Sequence, residues 1–164
     1  MIKYTLPFLL ITPVYASSVY IDQIGDSNYI YVEQKDADGK NTNITNDGDL
    51  NILHILQQGS GSHTATISST TTNNTNNNNL LQINQSGTGN HTATITLDNS
   101  SSNATNNDLE INQSGGANKN FNLTVQGSNT TFVGVQDSAT VPDSASMTIQ
   151  CLTPPCSGYS YTKH

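Results

Sequence analysis

LHILQQGSGSHTATIS (53–68), LQINQSGTGNHTATIT (81–96) and LEINQSGGANKNFNLT (109–124) are one pattern written three times. Aligned on Gln-x-Gly, the anchors are Gln57/Gly59, Gln85/Gly87 and Gln113/Gly115, spaced 28 residues apart, and Gln23/Gly25 lies 34 residues before the first of them. Matched residues at a fixed spacing of this length indicate stacked structural units. Within each unit apolar residues alternate up to the glutamine (Leu81, Ile83), a Gly-rich break follows, and alternation resumes (Ala93, Ile95, Leu97). Period two, a tight turn, then period two again reads as strand, turn, strand. A lone unit of this size is marginal in water, whereas stacking pairs every strand with the next at about 4.8 Å. The expected fold is all-β: a β-solenoid of about four to five strand-turn-strand rungs stacked as parallel sheets.

Composition agrees. Of 164 residues, 33% are apolar and 10% charged, both low for a globular chain, and the balance is Asn, Thr, Ser, Gly and Gln. The tracts STTTNNTNNNN (69–79) and DNSSSNATNN (98–107) favour turns and local side-chain bonding and read as outer loops. The net charge of −7 comes with no basic cluster, which excludes binding nucleic acid through phosphate neutralisation. Scattered acids read as a solvated, soluble surface.

Residues 1–16, MIKYTLPFLLITPVYA, place Lys3 before an apolar run and a small residue at Ala16, the layout of a secretory signal peptide. The repeats then occupy 17–126. A degenerate terminal rung over 127–151, with TFVGVQ and SASMTIQC alternating but the Gln-x-Gly anchor gone, caps the stack. The tail 152–164 completes CLTPPC, where Cys151 and Cys156 in an exported chain form a disulfide clip. No apolar run after the first reaches the length of a membrane span.

Equivalent glutamines on successive rungs can each donate to one neighbour and accept from the other, forming a ladder inside a narrow core. Gln23, Gln57, Gln85 and Gln113 are assigned to it, with Ile21, Ile55, Ile83 and Ile111 two positions before them on the same face, and Gly25, Gly59, Gly87 and Gly115 at the turn. His63 and His91, 28 apart, fall on adjacent rungs and are expected to face solvent; Lys119 occupies the next equivalent position, so no metal site is expected. Asn-x-Ser/Thr triplets such as Asn90-His91-Thr92 follow from composition alone.

Gln23-x-Gly25-x-x-Asn28-x-Ile30-x-x-x-Gln34 resembles the curlin repeat, Gln-x-Gly-x-x-Asn-x-Ala-x-x-x-Gln, of the secreted subunits of bacterial curli fibres. Later units keep Gln, Gly and usually the Asn (Asn90, Asn118), with Ser68, Thr96 and Thr124 in place of the second Gln. The resemblance spans about 18–126 and adds Asn28, Gln34, Asn90 and Asn118 to the expected assembly and ladder residues. It implies a secreted, non-enzymatic structural subunit with no cofactor, polymerising end to end with itself into an extracellular amyloid-like fibre for adhesion and biofilm matrix, alongside a nucleator subunit and a secretion pore. The units here are longer, and the apolar phase after the turn in units two to four is one position off that of Ile30 and Val32. Two other readings stay open: a soluble solenoid binding ice or another surface through Thr64-Ala65-Thr66 and Thr92-Ala93-Thr94, and a virion or appendage protein built on the same repeat. An enzyme site is disfavoured because no two carboxylates stack in register.

Overall fold

The structure is a computed structural model that describes residues 9–10, 18–25, 27–35, 39–48, 51–59, 62–71, 79–88, 90–99, 107–115, 118–126, 130–137, 140, 143–150 and 158–163. The strands are β1 (Leu9–Leu10), β2 (Ser18–Ile24), β3 (Tyr29–Lys35), β4 (Lys40–Asp47), β5 (Ile52–Gln58), β6 (His63–Thr71), β7 (Asn79–Ser86), β8 (His91–Asn99), β9 (Asn107–Ser114), β10 (Lys119–Val125), β11 (Thr130–Asp137), β12 (Asp143–Ile149) and β13 (Thr162–Lys163). Odd strands form one seven-stranded sheet and even strands one six-stranded sheet, each in chain order and parallel at every pairing. The chain therefore winds as a β-solenoid, with one odd and one even strand per turn and the core between the two sheets.

Alternation sets which side chains face inward. The odd sheet contributes Ile30, Val32, Leu53, Ile55, Leu81, Ile83, Leu109, Ile111 and Phe132 to the core. The even sheet contributes Ile44, Ala65, Ile67, Ala93, Ile95, Leu97, Phe121, Leu123 and Val125, with Val19, Ile21 and Ile149 packed against the ends of the cluster. Burying each large aliphatic side chain stabilises the fold by about 1.5–3 kcal/mol. Phe121 and Phe132 stack with centroids 5.6 Å apart, and Gly134 leaves room for the second ring: a Cβ there would meet Phe132 Cζ at 2.7 Å.

Several boundaries differ from the sequence reading. The tracts 69–79 and 98–107 are not wholly loops, because β6 runs on to Thr71, β8 runs on to Asn99, and Asn79 and Asn107 open β7 and β9. Both asparagines are buried, as is Ser69. The rung over 127–151 keeps the repeat's register, and Gln136 aligns with Gln113 even though no glycine follows it. Most of residues 1–16 lie outside the described residues, as do Cys151 and Cys156 with their expected bridge; Leu9–Leu10 pairs with Ile30 and Tyr31 along the edge of β3.

Candidate functional site: polar columns inside the solenoid

Stacking brings equivalent side chains into columns, and one of these is a glutamine ladder. Its members are Gln34, Gln57, Gln85, Gln113 and Gln136, joined by the strand register. Gln57 Nε2 donates to Gln34 Oε1 at 2.8 Å, Gln85 to Gln57 at 2.9 Å and Gln113 to Gln85 at 2.9 Å. The same Nε2 atoms also donate across the core to the backbone carbonyls of Thr64 (2.9 Å), Thr92 (2.8 Å) and Asn120 (2.7 Å) on the even strands. Each amide thus ties one rung to its neighbour and one sheet to the other. Thr42 extends the network at the N-terminal end, donating to Gln34 Oε1 at 2.8 Å. The ladder breaks between Gln113 and Gln136, whose Oε1 atoms have no partner, while Gln136 Nε2 reaches Ser144 O at 3.4 Å.

The sequence reading placed Gln23 in this ladder, and the structure moves it out. Gln23 lies on β2 in the even sheet, opposite Asn46, and donates to the carbonyl of Ile24 at 3.2 Å. Ile21 likewise belongs to the even-sheet column through Ile44, Ile67, Ile95, Leu123 and Met147, whereas Ile55, Ile83 and Ile111 stack on Val32. The cause is a half-rung offset. Residues 18–34 run from the even sheet to the odd sheet, while 53–68, 81–96 and 109–124 run from odd to even, so alignment on Gln-x-Gly superposes opposite corners. This offset also explains the shifted apolar phase, because Ile30 and Val32 are equivalent to Leu53 and Ile55.

Asn28, an assembly residue of the sequence reading, belongs to a second ladder whose other members that reading did not name. With Asn51, Asn79 and Asn107 it lines the corner before the odd strands, every member buried. Asn51 Oδ1 accepts from the Asn28 backbone N–H at 3.3 Å, Asn79 Oδ1 from that of Asn51 at 3.1 Å, and Asn79 Nδ2 donates to Asn107 Oδ1 at 3.1 Å. Asn28 and Asn51 also donate to the carbonyls of Gly25 and Gly48 at the turn. The ladder stops at Thr130, which carries no amide, and Asn107 Nδ2 is left without a partner. The signal was present as Asn followed six residues later by Gln: 28/34, 51/57, 79/85, 107/113. Asn90 and Asn118, placed by the sequence reading with Asn28, are exposed at the other corner, where their backbone carbonyls accept from the N–H groups of His63 and His91.

Gly59, Gly87 and Gly115 stack at that corner with φ of 104°, 119° and 111°. Gly25 has the same kind of conformation (φ 121°) but occupies the opposite corner, its N–H donating to Asp47 O at 2.9 Å.

A third column opens the even strands: Lys40, His63, His91 and Lys119, all buried, followed by Asp143. The sequence expectation that the histidines face solvent is overturned, since each is 1% exposed and their rings stack with centroids 4.8 Å apart and planes 5° off parallel. None of the four ring nitrogens has a hydrogen-bond partner of good geometry. Burial holds both imidazoles down at about 4; His91 and Lys40 add to the effect on His63, and Lys119 adds to it on His91, while the nearby carbonyls of Gly59 and Asn118 oppose it. Lys119 Nζ donates to Gly115 O at 2.6 Å, and burial lowers its pKa against the pull of Asp143 and Asp137. Among the described residues no group of three His, Cys, Asp or Glu is placed to hold a metal ion.

These columns test one substitution directly. Gln85→Leu keeps the volume but removes a donor pair and an acceptor, orphaning Gln57 Oε1 and one Gln113 N–H and taking away the cross-core bond to Thr92 O. At about 1–3 kcal/mol per unsatisfied buried group, a loss of roughly 3 kcal/mol is expected in urea unfolding. Loss under about 0.5 kcal/mol would show that the ladder contributes little.

Fold and columns together define the class: a two-sheeted parallel β-solenoid stapled by internal amide ladders. No family profile, curated protein or solved structure matches the chain.

Proposed function

We propose that the chain is a secreted structural subunit that stacks end to end into an extracellular amyloid-like fibre, acting in adhesion or matrix and performing no catalysis. The observation that carries this reading is that both sheets stay parallel and in register through consecutive rungs while the even sheet ends in strands with an open edge: among the described residues β2 pairs only with β4 and β12 only with β10. An open parallel edge above a stacked core is a template for another strand. The curlin-like spacing of Gln23 to Gln34 supports the same reading, although Gln23 and Gln34 lie in opposite sheets.

The core cluster lies within residues 19–149, so the chain from Ser17 retains it. Incubated near neutral pH, that chain is expected to raise thioflavin fluorescence and give fibres diffracting at about 4.7 and 10 Å. A persistent β-rich monomer would overturn the fibre reading.

One observation favours a second reading. The outward face of the even sheet carries Thr64/Thr92 and Thr66/Thr94 in register, flanked by Asn41, Asn43, Asn120 and Asn122. Such a flat hydroxyl and amide grid suits an ordered surface such as ice, and a monomer that arrests ice growth would support it.

A further inference from the structure

Each end of the stack carries half a rung. At the N-terminal end, β2 fills an even-sheet place, and among the described residues the odd-sheet strand that precedes it is the two-residue β1, from the segment read as an export signal. At the C-terminal end, the segment 158–163 runs along the outer edge of β11: Phe132 N donates to Gly158 O at 2.9 Å, and Thr162 and Lys163 pair with Val135 and Gln136. Counting back in this register sets Tyr159 opposite Phe132 and Tyr161 opposite Gly134, the inward positions of the odd sheet. Tyr161 is anchored there, its ring 5.3 Å from that of Phe121 and its hydroxyl donating to Asp143 Oδ2 at 2.6 Å. No even-sheet strand follows it among the described residues.

The two halves are complementary in sheet and in chemistry. One end offers an odd-sheet half with Tyr159, Tyr161 and the neighbouring Met147 exposed; the other offers an even-sheet half with Val19 and Ile21 at the edge of the core. We infer that copies join by a lap joint, a single shared rung in which residues 158–163 of one chain supply the odd-sheet strand and β2 of the next chain supplies the even-sheet strand. The inference rests on the fibre reading and specifies its contact. Extending the observed columns, Ala145 meets Val19 of the next copy, Met147 meets Ile21 and Ile149 meets Gln23, while Tyr159 and Tyr161 lie against its Ile30 and Val32. Apolar positions thus continue the columns at two of the three even-sheet contacts. Leu9–Leu10 occupies the same edge of β3, opposite Ile30 and Tyr31, so the leader and a neighbouring copy exclude one another.

The joint has two different halves, and each can be spoiled alone. In the chain from Ser17, Ile21→Asp spoils the N-terminal half and Tyr161→Asp, which sets a carboxylate beside Asp143, spoils the C-terminal half. Each variant alone is expected to remain monomeric in sedimentation, with assembly at least tenfold slower than the parent, while their equimolar mixture forms dimers and nothing longer. If either variant alone polymerises at the parent's rate, or if the mixture stays monomeric, the lap joint is wrong. A parent that never polymerises would instead overturn the fibre reading. To keep the test independent of any local unfolding, Tyr20→Cys and Ser146→Cys are combined in one chain, both positions being exposed on β2 and β12. Oxidised assemblies of this chain are expected to yield a covalent ladder of multimers with a bridge between the two introduced thiols, which the single substitutions do not give. Fibres without that bridge would overturn the inferred register.

Discussion

Gly87→Ala is expected to lower the melting temperature by about 10 °C. The added Cβ would lie 2.1 Å from the carbonyl oxygen of Gly59 and 2.7 Å from its carbonyl carbon, at a φ of 119° that L side chains rarely adopt. Backbone strain of this kind costs about 1–3 kcal/mol before the contact is relieved, and here the obstacle is a neighbouring rung's main chain rather than a side chain that can swing away. Gly25→Ala is the matched control. Its φ of 121° is similar, but nothing lies within 4 Å of the new Cβ, so the conformational term alone applies, about 1–2 kcal/mol. Paired thermal melts of the two variants decide the point, and equal losses would mean that the stacked glycine corner can spread.

Acid is expected to unfold the central rungs. His63 and His91 are held at about 4 in the fold against an ordinary value of 6.5, so the unfolded chain binds protons first as pH falls. Their neutral form is accommodated in full above pH 6.5, and stability is lost progressively between 6.5 and 4. Below that window each ring withdraws roughly 3 kcal/mol, because two imidazolium ions cannot stack between Lys40 and Lys119 with Asp143, beyond Lys119, the one acid among the described residues of the column to oppose them. The check is urea unfolding at pH 7 and pH 4.5 for the parent and for a His63→Asn, His91→Asn double variant. The double variant is expected to lose the pH dependence across this window, and an unchanged pH dependence would assign the acid sensitivity elsewhere.

Much of the fold was legible because stacking writes itself as spacing. Gln57, Gln85 and Gln113 recur with their isoleucines and glycines, so the ladder and the solenoid could be read together. The first unit was misread for a physical reason: a glutamine followed by a glycine turn stands at both corners, Gln23 and Gly25 after an even strand and Gln57 and Gly59 after an odd one, so Gln-x-Gly does not say which sheet it closes. Asn-to-Gln spacing does, since each pair spans one odd strand from the corner before it to its end, and it separates Gln34, which belongs to the ladder, from Gln23, which does not. The histidine column was hidden because burial is a property of the register: nothing local in GSHTATIS distinguishes an inward from an outward histidine until Ala65 and Ile67 are fixed as core. Gln136 was missed because no glycine follows it and its rung replaces leucine and isoleucine with Phe132 and Gly134, the ring of the first lying in the space that a side chain on the second would take.

The distance along the chain between successive ladder members is 23 residues from Gln34 to Gln57, 28 to Gln85, 28 to Gln113 and 23 to Gln136, yet the strand register is continuous throughout. The extra length enters between β6 and β7 and between β8 and β9, where the sequence is almost purely Asn, Ser and Thr. Length at those two places is therefore decoupled from the architecture. Chain length there can differ from rung to rung while Gln57, Gln85 and Gln113 stay bonded in one ladder, so a short foreign epitope spliced between Thr71 and Asn79 would mark each molecule once, giving a material whose decoration can be edited while its scaffold keeps its register.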